Sequence, residues 1–134
     1  MQGRKMREIR RRDREIASAE AARLLSEGEY GVLSTVDVDG QPYGVPLSYV
    51  YKDNCIYFHC ARVGHKLDNI ETNPRVSFCV IGDTHVIPSE FRTAYESAVA
   101  FGVAAEVKGT ERLDALKWLV DKYSPGYTEE GRSF

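Results

Sequence analysis

His65 and Lys66 follow Gly64 at the start of a short predicted helix, residues 65–72. The N-terminus of a helix carries partial positive charge and therefore favours acidic side chains. Here two basic side chains lie at that end, and Glu71 lies at the other end, where a cation would be favoured. The reversed charges, with a glycine that allows close backbone approach, indicate a bound phosphate whose countercharge Lys66 supplies. A solvated basic turn is the alternative that the same spacing allows.

The cysteines and the other histidines give weaker chemical signals. Cys55, Cys60 and Cys79 are an odd number of cysteines at spacings that match no zinc motif, so we expect neither a disulfide framework nor a zinc site. His59 and Cys60 are adjacent and point to opposite sides of a strand, which argues against a metal ion or haem held by both. We therefore predict no metal site.

Composition restricts the protein to a single globular domain. The chain has 134 residues, of which 43% are hydrophobic and 28% charged, and its formal net charge is -2. That length suits one core, and the charge gives no overall attraction to nucleic acid. No hydrophobic stretch approaches the ~20 residues of a membrane span, and no signal peptide is recognisable. We expect a cytoplasmic protein without membrane or nucleic-acid partners.

A basic segment precedes the predicted domain. Residues 1–17 are rich in arginine, and we predict a solvated or partner-contacting arm there, followed by one folded domain at residues 18–134. A nucleic-acid-binding arm is the alternative, and it lacks interleaved aromatic residues that would stack on bases. An amphipathic helix that begins near Ser18 and ends at Gly28 is expected to open the domain.

Strand-like alternation separated by turn signals follows this helix. We predict antiparallel strands at residues 30–36, 43–51, 55–60, 75–81 and 95–108, with Gly82-Asp83 ending the fourth. One face of the last strand carries Ala and Gly, which either admits a close backbone or flat ligand or forms a lightly covered surface. A final helix is predicted from Thr110 to Tyr123. The pattern predicts a mainly β fold, a small antiparallel barrel with short flanking α-helices.

Residues 42–80 resemble the flavin-binding core of the pyridoxamine 5'-phosphate oxidase-like split-barrel superfamily, and their sequence is PYGVPLSYVYKDNCIYFHCARVGHKLDNIETNPRVSFCV. The nitroimidazole-resistance (Nim) branch is similar also outside this core, through the strings RRRDREI and YESAVAFGVAAEV. The resemblance implies a Greek-key split β-barrel that binds FMN at the interface of a homodimer.

The same resemblance implies which residues contact the cofactor. In chain order they are Pro46, Leu47, Ser48, His59, Cys60, Ala61, His65, Lys66 and Ser97. The first three run past the isoalloxazine ring, the next three follow the ring and the ribityl chain, and His65 and Lys66 bind the phosphate. Ordinary core, strand or surface roles are the alternatives for Pro46, Leu47, Ser48 and Ser97.

The implied function is that of an FMN-dependent reductase that passes electrons to a small acceptor, a nitroaromatic compound in the Nim branch. His59 is the candidate proton donor at the ring. The alternative is a flavin-binding or flavin-storing module without turnover. Members that oxidise pyridoxamine phosphate carry a C-terminal strand with basic substrate-binding residues, and this chain ends at Phe134 soon after its last helix. We therefore do not expect genuine pyridoxamine 5'-phosphate oxidase activity.

Overall fold

The structure, a computed structural model, describes residues 2–3, 18–60 and 63–126. Its helices are α1 (Ser18–Glu27), α2 (His65–Thr72) and α3 (Gly109–Tyr123). Its strands are β1 (Gln2–Gly3), β2 (Gly31–Val36), β3 (Pro42–Leu47), β4 (Tyr49–Lys52), β5 (Cys55–Phe58), β6 (Arg75–Ile87) and β7 (Arg92–Val103), with a 3₁₀ turn (Pro88–Glu90) between the last two. Apart from β1, the predicted basic arm lies outside the described residues.

The described strands form two antiparallel sheets. The larger sheet has the strand order β1-β7-β6-β2-β3, and β4 pairs with β5 in a separate two-stranded sheet. The larger sheet is open, because β3 and β1 lie at its two edges. The predicted mainly β, antiparallel architecture with short flanking helices is confirmed.

The single strand predicted at residues 43–51 is wrong. The chain leaves the larger sheet at Ser48, so that β3 pairs with β2 whereas β4 pairs with β5. Tyr49 and Val50 are both buried, which breaks the alternation of buried and exposed positions found along β3. Local periodicity cannot reveal this break, because both halves have strand-like composition.

Other strand boundaries also differ from the prediction. β5 ends at Phe58 rather than at residue 60, and β7 begins at Arg92 rather than at residue 95. Gly82-Asp83 does not end β6, because a β-bulge between Ile81 and Thr84 lets the pairing with β7 continue to Ile87. A Cβ atom at Gly82 would lie 2.8 Å from Leu24 Cδ2, so glycine also lets α1 approach the bulge. β7 ends at Val103 rather than at residue 108. The result is a β6–β7 hairpin that is longer than predicted.

The core lies between the larger sheet, the β4–β5 hairpin and α1. Leu33, Tyr49, Phe78 and Val80 are fully buried, and the Tyr49 and Phe78 rings meet edge to face with centroids 4.7 Å apart. Burial of each apolar side chain contributes about 1.5–3 kcal/mol. The small face of β7 points into this core and its Ala98 is buried, so the alternative of a lightly covered surface is wrong there.

Tyr49 joins β4 to two helices. Its hydroxyl donates a hydrogen bond to the Leu25 carbonyl at the end of α1. Its backbone N–H donates to Tyr123 Oη over 2.9 Å, and its carbonyl accepts a hydrogen bond of 2.8 Å from Lys122 Nζ. The Lys122 ammonium also lies 3.9 Å from the centroid of the Tyr49 ring. The C-terminal end of α3 is thereby fixed to β4.

One buried polar pair holds α2 on the larger sheet. Asn69 Nδ2 donates a hydrogen bond of 3.0 Å to Thr35 Oγ1 on β2. Asn69 is 3% exposed and Thr35 is 1% exposed, so water cannot replace either partner. Ile70 next to Asn69 packs against the apolar core. The position of α2 therefore depends on this hydrogen bond and on the packing beside it.

We expect Thr35→Val to lower the free energy of unfolding by about 1–3 kcal/mol, because the Asn69 amide would stay buried without its acceptor. The double variant Thr35→Val/Asn69→Leu should lose less than the sum of the single losses, because it leaves no polar group unpaired. Urea denaturation measures each value. Thr72→Val, at an exposed position of α2, is the control and should change stability by less than about 0.5 kcal/mol. A Thr35→Val protein as stable as the parent would contradict this role.

Stability should also fall in alkali through Tyr49. Burial, and then the neighbouring Tyr123, raise the pKa of Tyr49 from 10.0 to about 12. The folded-state pKa thus exceeds the unfolded-state pKa, so this contribution is fully present below pH 10 and is lost as the pH rises through about 12. Tyr49→Phe should reduce the slope of stability against pH in this window by up to about 1.4 kcal/mol per pH unit. Urea midpoints of both proteins measure the slope, and exposed Tyr30→Phe is the control. Equal slopes in the Tyr49→Phe variant and the parent would refute the assignment.

Candidate functional site

Gly64 sets the entry of the chain into α2. It has φ = 157° and ψ = 165°, a conformation that is essentially restricted to glycine. A Cβ atom at Gly64 would meet no other atom within 4 Å. Glycine is therefore needed here for backbone conformation, and not because another group of the described chain lies close to it.

The first turn of α2 has no side-chain cap. The first N–H groups of a helix have no partner within the helix, so the groups at this end are available to a ligand. Asp68 also lies in the first turn, and the prediction of reversed charges overlooked it. The charges at this end are therefore mixed rather than wholly basic, and the case for an anion depends on the uncapped N–H groups and on Lys66.

His65 is oriented by an aromatic contact. Its ring stacks on Tyr43 of β3, with centroids 4.2 Å apart and planes inclined by 24°. His65 as a whole residue is exposed to solvent. Tyr43 was not among the predicted site residues, although an aromatic residue facing inward on an edge strand is a recognisable signal.

Lys66 lies near Cys60, which follows β5. Burial raises the pKa of the Cys60 thiol, and the Lys66 ammonium partly offsets this effect because it favours the thiolate. Cys60 and Lys66 are both half-buried, whereas His59 beside Cys60 is exposed. The structure therefore brings together three of the predicted residues, Cys60, His65 and Lys66, at the start of α2.

The other predicted residues lie elsewhere. Pro46 is exposed on the outer face of β3, Leu47 points inward and packs on the core, and Ser48 is exposed between β3 and β4. Ser97 is half-buried on β7, opposite Ile81 of β6. Ala61 lies outside the described residues. Pro46 and Ser97 thus belong to the outer face of the larger sheet and not to the start of α2.

The outer face of the larger sheet is largely apolar on its β6–β7 side. We define the outer apolar face as the exposed side chains Ile81, Val86, Tyr95, Val99, Phe101 and Val103. Val99 is 54% exposed and Phe101 is 45% exposed, although the alternate positions of the same strand contribute to the core. Exposed apolar patches of this kind mark interaction sites.

An open cleft of about 220 Å³ lies on this side of the sheet. It contains none of the predicted site residues, and its lining includes Ser34, Val36, Pro42, Arg75, Phe101 and Val103. Arg75 is the only charged residue among the described residues that line it. The sequence contains one signal for this cleft. Arg75 begins a predicted strand along which apolar residues alternate with polar or small residues.

The described part of the chain contains neither a cluster of metal ligands nor a membrane-spanning helix. No three His, Cys, Asp or Glu side chains come together there as a metal-binding group. Among the same residues, no helix combines the length and the apolar character that crossing a membrane requires.

Comparison with known proteins gives one family and several structures. The pyridoxamine 5'-phosphate oxidase family matches residues 17–133. A conserved hypothetical protein of Mycobacterium tuberculosis is 25% identical over 94% of this chain and 76% of its own, with a TM-score of 0.77. An FAD-binding protein of Mesorhizobium loti is 28% identical over 87% and 84% of the two chains, with a TM-score of 0.63. No curated protein matches the chain.

A third solved structure is that of a candidate 5-nitroimidazole antibiotic resistance protein of Bacteroides thetaiotaomicron. It is 19% identical over 81% of this chain and 67% of its own, with a TM-score of 0.69, and this likeness concerns the fold alone. The resemblance inferred from residues 42–80 is confirmed by the family match, and the split-barrel fold agrees with these structures. The chain belongs to the pyridoxamine 5'-phosphate oxidase family.

Proposed function

We propose that the protein binds FMN as a homodimer and transfers two electrons from a reduced nicotinamide or another donor, through the flavin, to a small acceptor such as a nitroaromatic compound. Family membership and the similarity to an FAD-binding protein support the flavin. The nitroaromatic acceptor is suggested by the fold likeness to the candidate nitroimidazole resistance protein. The observation that carries the proposal is the uncapped start of α2 with Lys66 beside it.

The residues at the start of α2 fit the phosphate of FMN. The free N–H groups of the first turn donate hydrogen bonds, and the partial positive charge of a helix N-terminus favours an anion. Lys66 supplies a full positive charge, and His65 presents an imidazole whose plane Tyr43 fixes. Asp68 opposes an anion, and its backbone N–H is already donated to the Gly64 carbonyl. The phosphate is therefore expected at the N–H groups of residues 65–67.

The ring of the flavin is proposed to lie along the segments that the resemblance indicates. Pro46 and Ser48 are exposed and offer their surfaces to a planar group, whereas the half-buried Leu47 side chain supports the strand from the core. When bound, FMN supplies the two-electron chemistry, and the protein binds it, orients it and restricts access to it. His59 is exposed next to Cys60 and is the candidate donor of a proton to the reduced acceptor.

A homodimer is supported by the outer apolar face. Its six side chains remain exposed in one copy, and burying them against a second copy removes apolar surface from water. A two-fold dimer uses the same surface on both subunits, so a single apolar face is sufficient for both. Pro46 and Ser97 lie on this side of the sheet, which supports a flavin at the subunit interface.

We expect purified protein to carry or take up a yellow flavin, and the mass of the ligand released on denaturation to identify FMN rather than FAD or F420. Lys66→Ala should weaken FMN binding at least tenfold, because a charge-assisted contact to the phosphate is lost. Its effect on the free energy of unfolding should stay within about 0.5 kcal/mol. Fluorescence titration measures the affinity, and exposed Lys117→Ala on α3 is the matched control. Equal affinity in the Lys66→Ala protein and the parent would refute the phosphate site.

A flavin-binding module without turnover is the second candidate. It is favoured by the fact that His59 has no hydrogen-bond partner among the described residues that would orient it. The two candidates differ in how the reduced flavin behaves when an acceptor is added without oxygen.

If the protein is a reductase, a nitroimidazole should reoxidise the reduced bound flavin at least tenfold faster than it reoxidises free reduced FMN. His59→Gln should then slow this step by more than any loss of FMN affinity explains, because the variant cannot donate the proton. Anaerobic stopped-flow absorbance measures both rates, and His85→Gln, an exposed histidine of β6, is the control. Reoxidation no faster than that of free FMN would favour the binding module.

A further inference from the structure

The tip of the β6–β7 hairpin displays a large apolar side chain. Phe91 is 97% exposed and adopts the left-handed conformation, with φ = 53° and ψ = 40°. That conformation costs about 1–2 kcal/mol for a residue with a Cβ atom, and Gly or Asn usually occupies such a turn position. From Asp83 to Tyr95 the hairpin pairs with no other described strand. Neither local conformation nor burial within this chain explains a phenylalanine here.

The tip is continuous with the outer apolar face. Val86 and Tyr95 extend this face towards Phe91, while Phe101 and Val103 end it at the cleft. β7 has 12 residues, so the tip and the cleft lie roughly 40 Å apart within one chain. A protruding group and a recess thus lie at opposite ends of one apolar surface.

The cleft suits the tip in size. Its volume is about 220 Å³, and an apolar cavity of about 150 Å³ accommodates benzene, so a phenyl ring fits. Arg75 gives the cleft a positive charge. At the tip, Glu90 and Arg92 form an ion pair of 2.6 Å and cancel each other, whereas Asp83 lies at the β-bulge, near the level of residues 95–97. The tip therefore brings no net charge to Arg75, and the match between tip and cleft is one of size and apolar character.

We propose that two copies of the chain pack through their outer apolar faces with β7 antiparallel to its counterpart, and that Phe91 of each copy occupies the cleft of the other. The inference rests on the homodimer of the proposed function and specifies its contact. In a two-fold interface, if residue i of one copy contacts residue j of the other copy, then residue j of the first copy also contacts residue i of the second. Ser97 lies midway between positions 91 and 103, so an axis near Ser97 brings both tips to both clefts. The partner thereby supplies one wall of a cleft that is open in the single chain.

The variant Phe91→Gly separates a role of Phe91 in dimerisation from a role in folding. Glycine relieves the left-handed strain and removes an exposed apolar side chain, so the urea midpoint of dilute, monomeric protein should stay equal or rise. The dissociation constant of the dimer, measured by sedimentation, should rise at least tenfold because the anchoring ring is lost. Leu113→Ala removes an exposed apolar side chain from α3 and should leave the dimer unchanged. A dimer as tight in Phe91→Gly as in the parent would overturn the proposal.

A cross-link tests the pairing of the two positions directly. In the double variant Phe91→Cys/Val103→Cys, the two positions of one chain are too far apart for a disulfide, which requires Cα atoms within about 7 Å. Oxidation should therefore produce a covalent dimer whose peptide map contains the 91–103 link. Neither single variant should produce that link, although the native cysteines remain present.

The other outcomes overturn the proposal in distinguishable ways. A dimer without the 91–103 link would leave the homodimer standing and refute this contact. A chain that stays monomeric would refute both the contact and the homodimer, while the flavin spectrum tests the cofactor separately. Benzoate that binds the parent and Phe91→Gly with equal affinity and leaves the dimer intact would show that the cleft holds a small ligand instead of the partner.

Discussion

The hydrogen bond from Asn69 to Thr35 is the constraint on which the candidate site depends. Thr35 of β2 pairs across the sheet with Tyr43 of β3, and both residues face α2. Thr35 holds Asn69 and Tyr43 stacks on His65, and these two helix residues lie one turn apart on the same face. One pair of neighbouring strand positions therefore fixes both the rotation of α2 and its height above the sheet, and this determines where Lys66 and the uncapped N–H groups lie.

Most elements of the fold were predictable because each has a local signal. The bounds of α2 at His65 and Thr72 follow from Gly64 before the helix and Asn73-Pro74 after it. The failures at Ser48 and Gly82 have a common physical cause. At both places the chain keeps a strand-like composition, and only the choice of a neighbouring strand, made by distant residues, decides whether one strand continues or another begins.

The residues of the candidate site were only in part predictable from the sequence. Sequence pattern and family resemblance indicated Cys60, His65 and Lys66, and the structure brings these three together. The residues that hold them in place were missed, because a threonine on a strand and an asparagine in a helix resemble ordinary surface residues until burial is known. The charge argument also overlooked Asp68, which lies in the same first turn. Residues that would contact a ligand left a chemical signature in the sequence, whereas the residues that position them did not.

The composition of the β3 edge explains why a second copy of the chain should associate with the face of the larger sheet and not with this edge. β3 is an edge strand, and a row of unpaired N–H groups at such an edge would invite a strand from another molecule. In an antiparallel strand, alternate residues direct their N–H groups to the same side, and the prolines of a paired strand must face the open side. Pro42 and Pro46 have no backbone N–H group, so Gly44 is the one residue of β3 that directs an N–H group to the open edge. Strand addition at β3 would be weak, so the apolar surface of the sheet, and not its hydrogen-bonding edge, is the part of this molecule suited to a second copy.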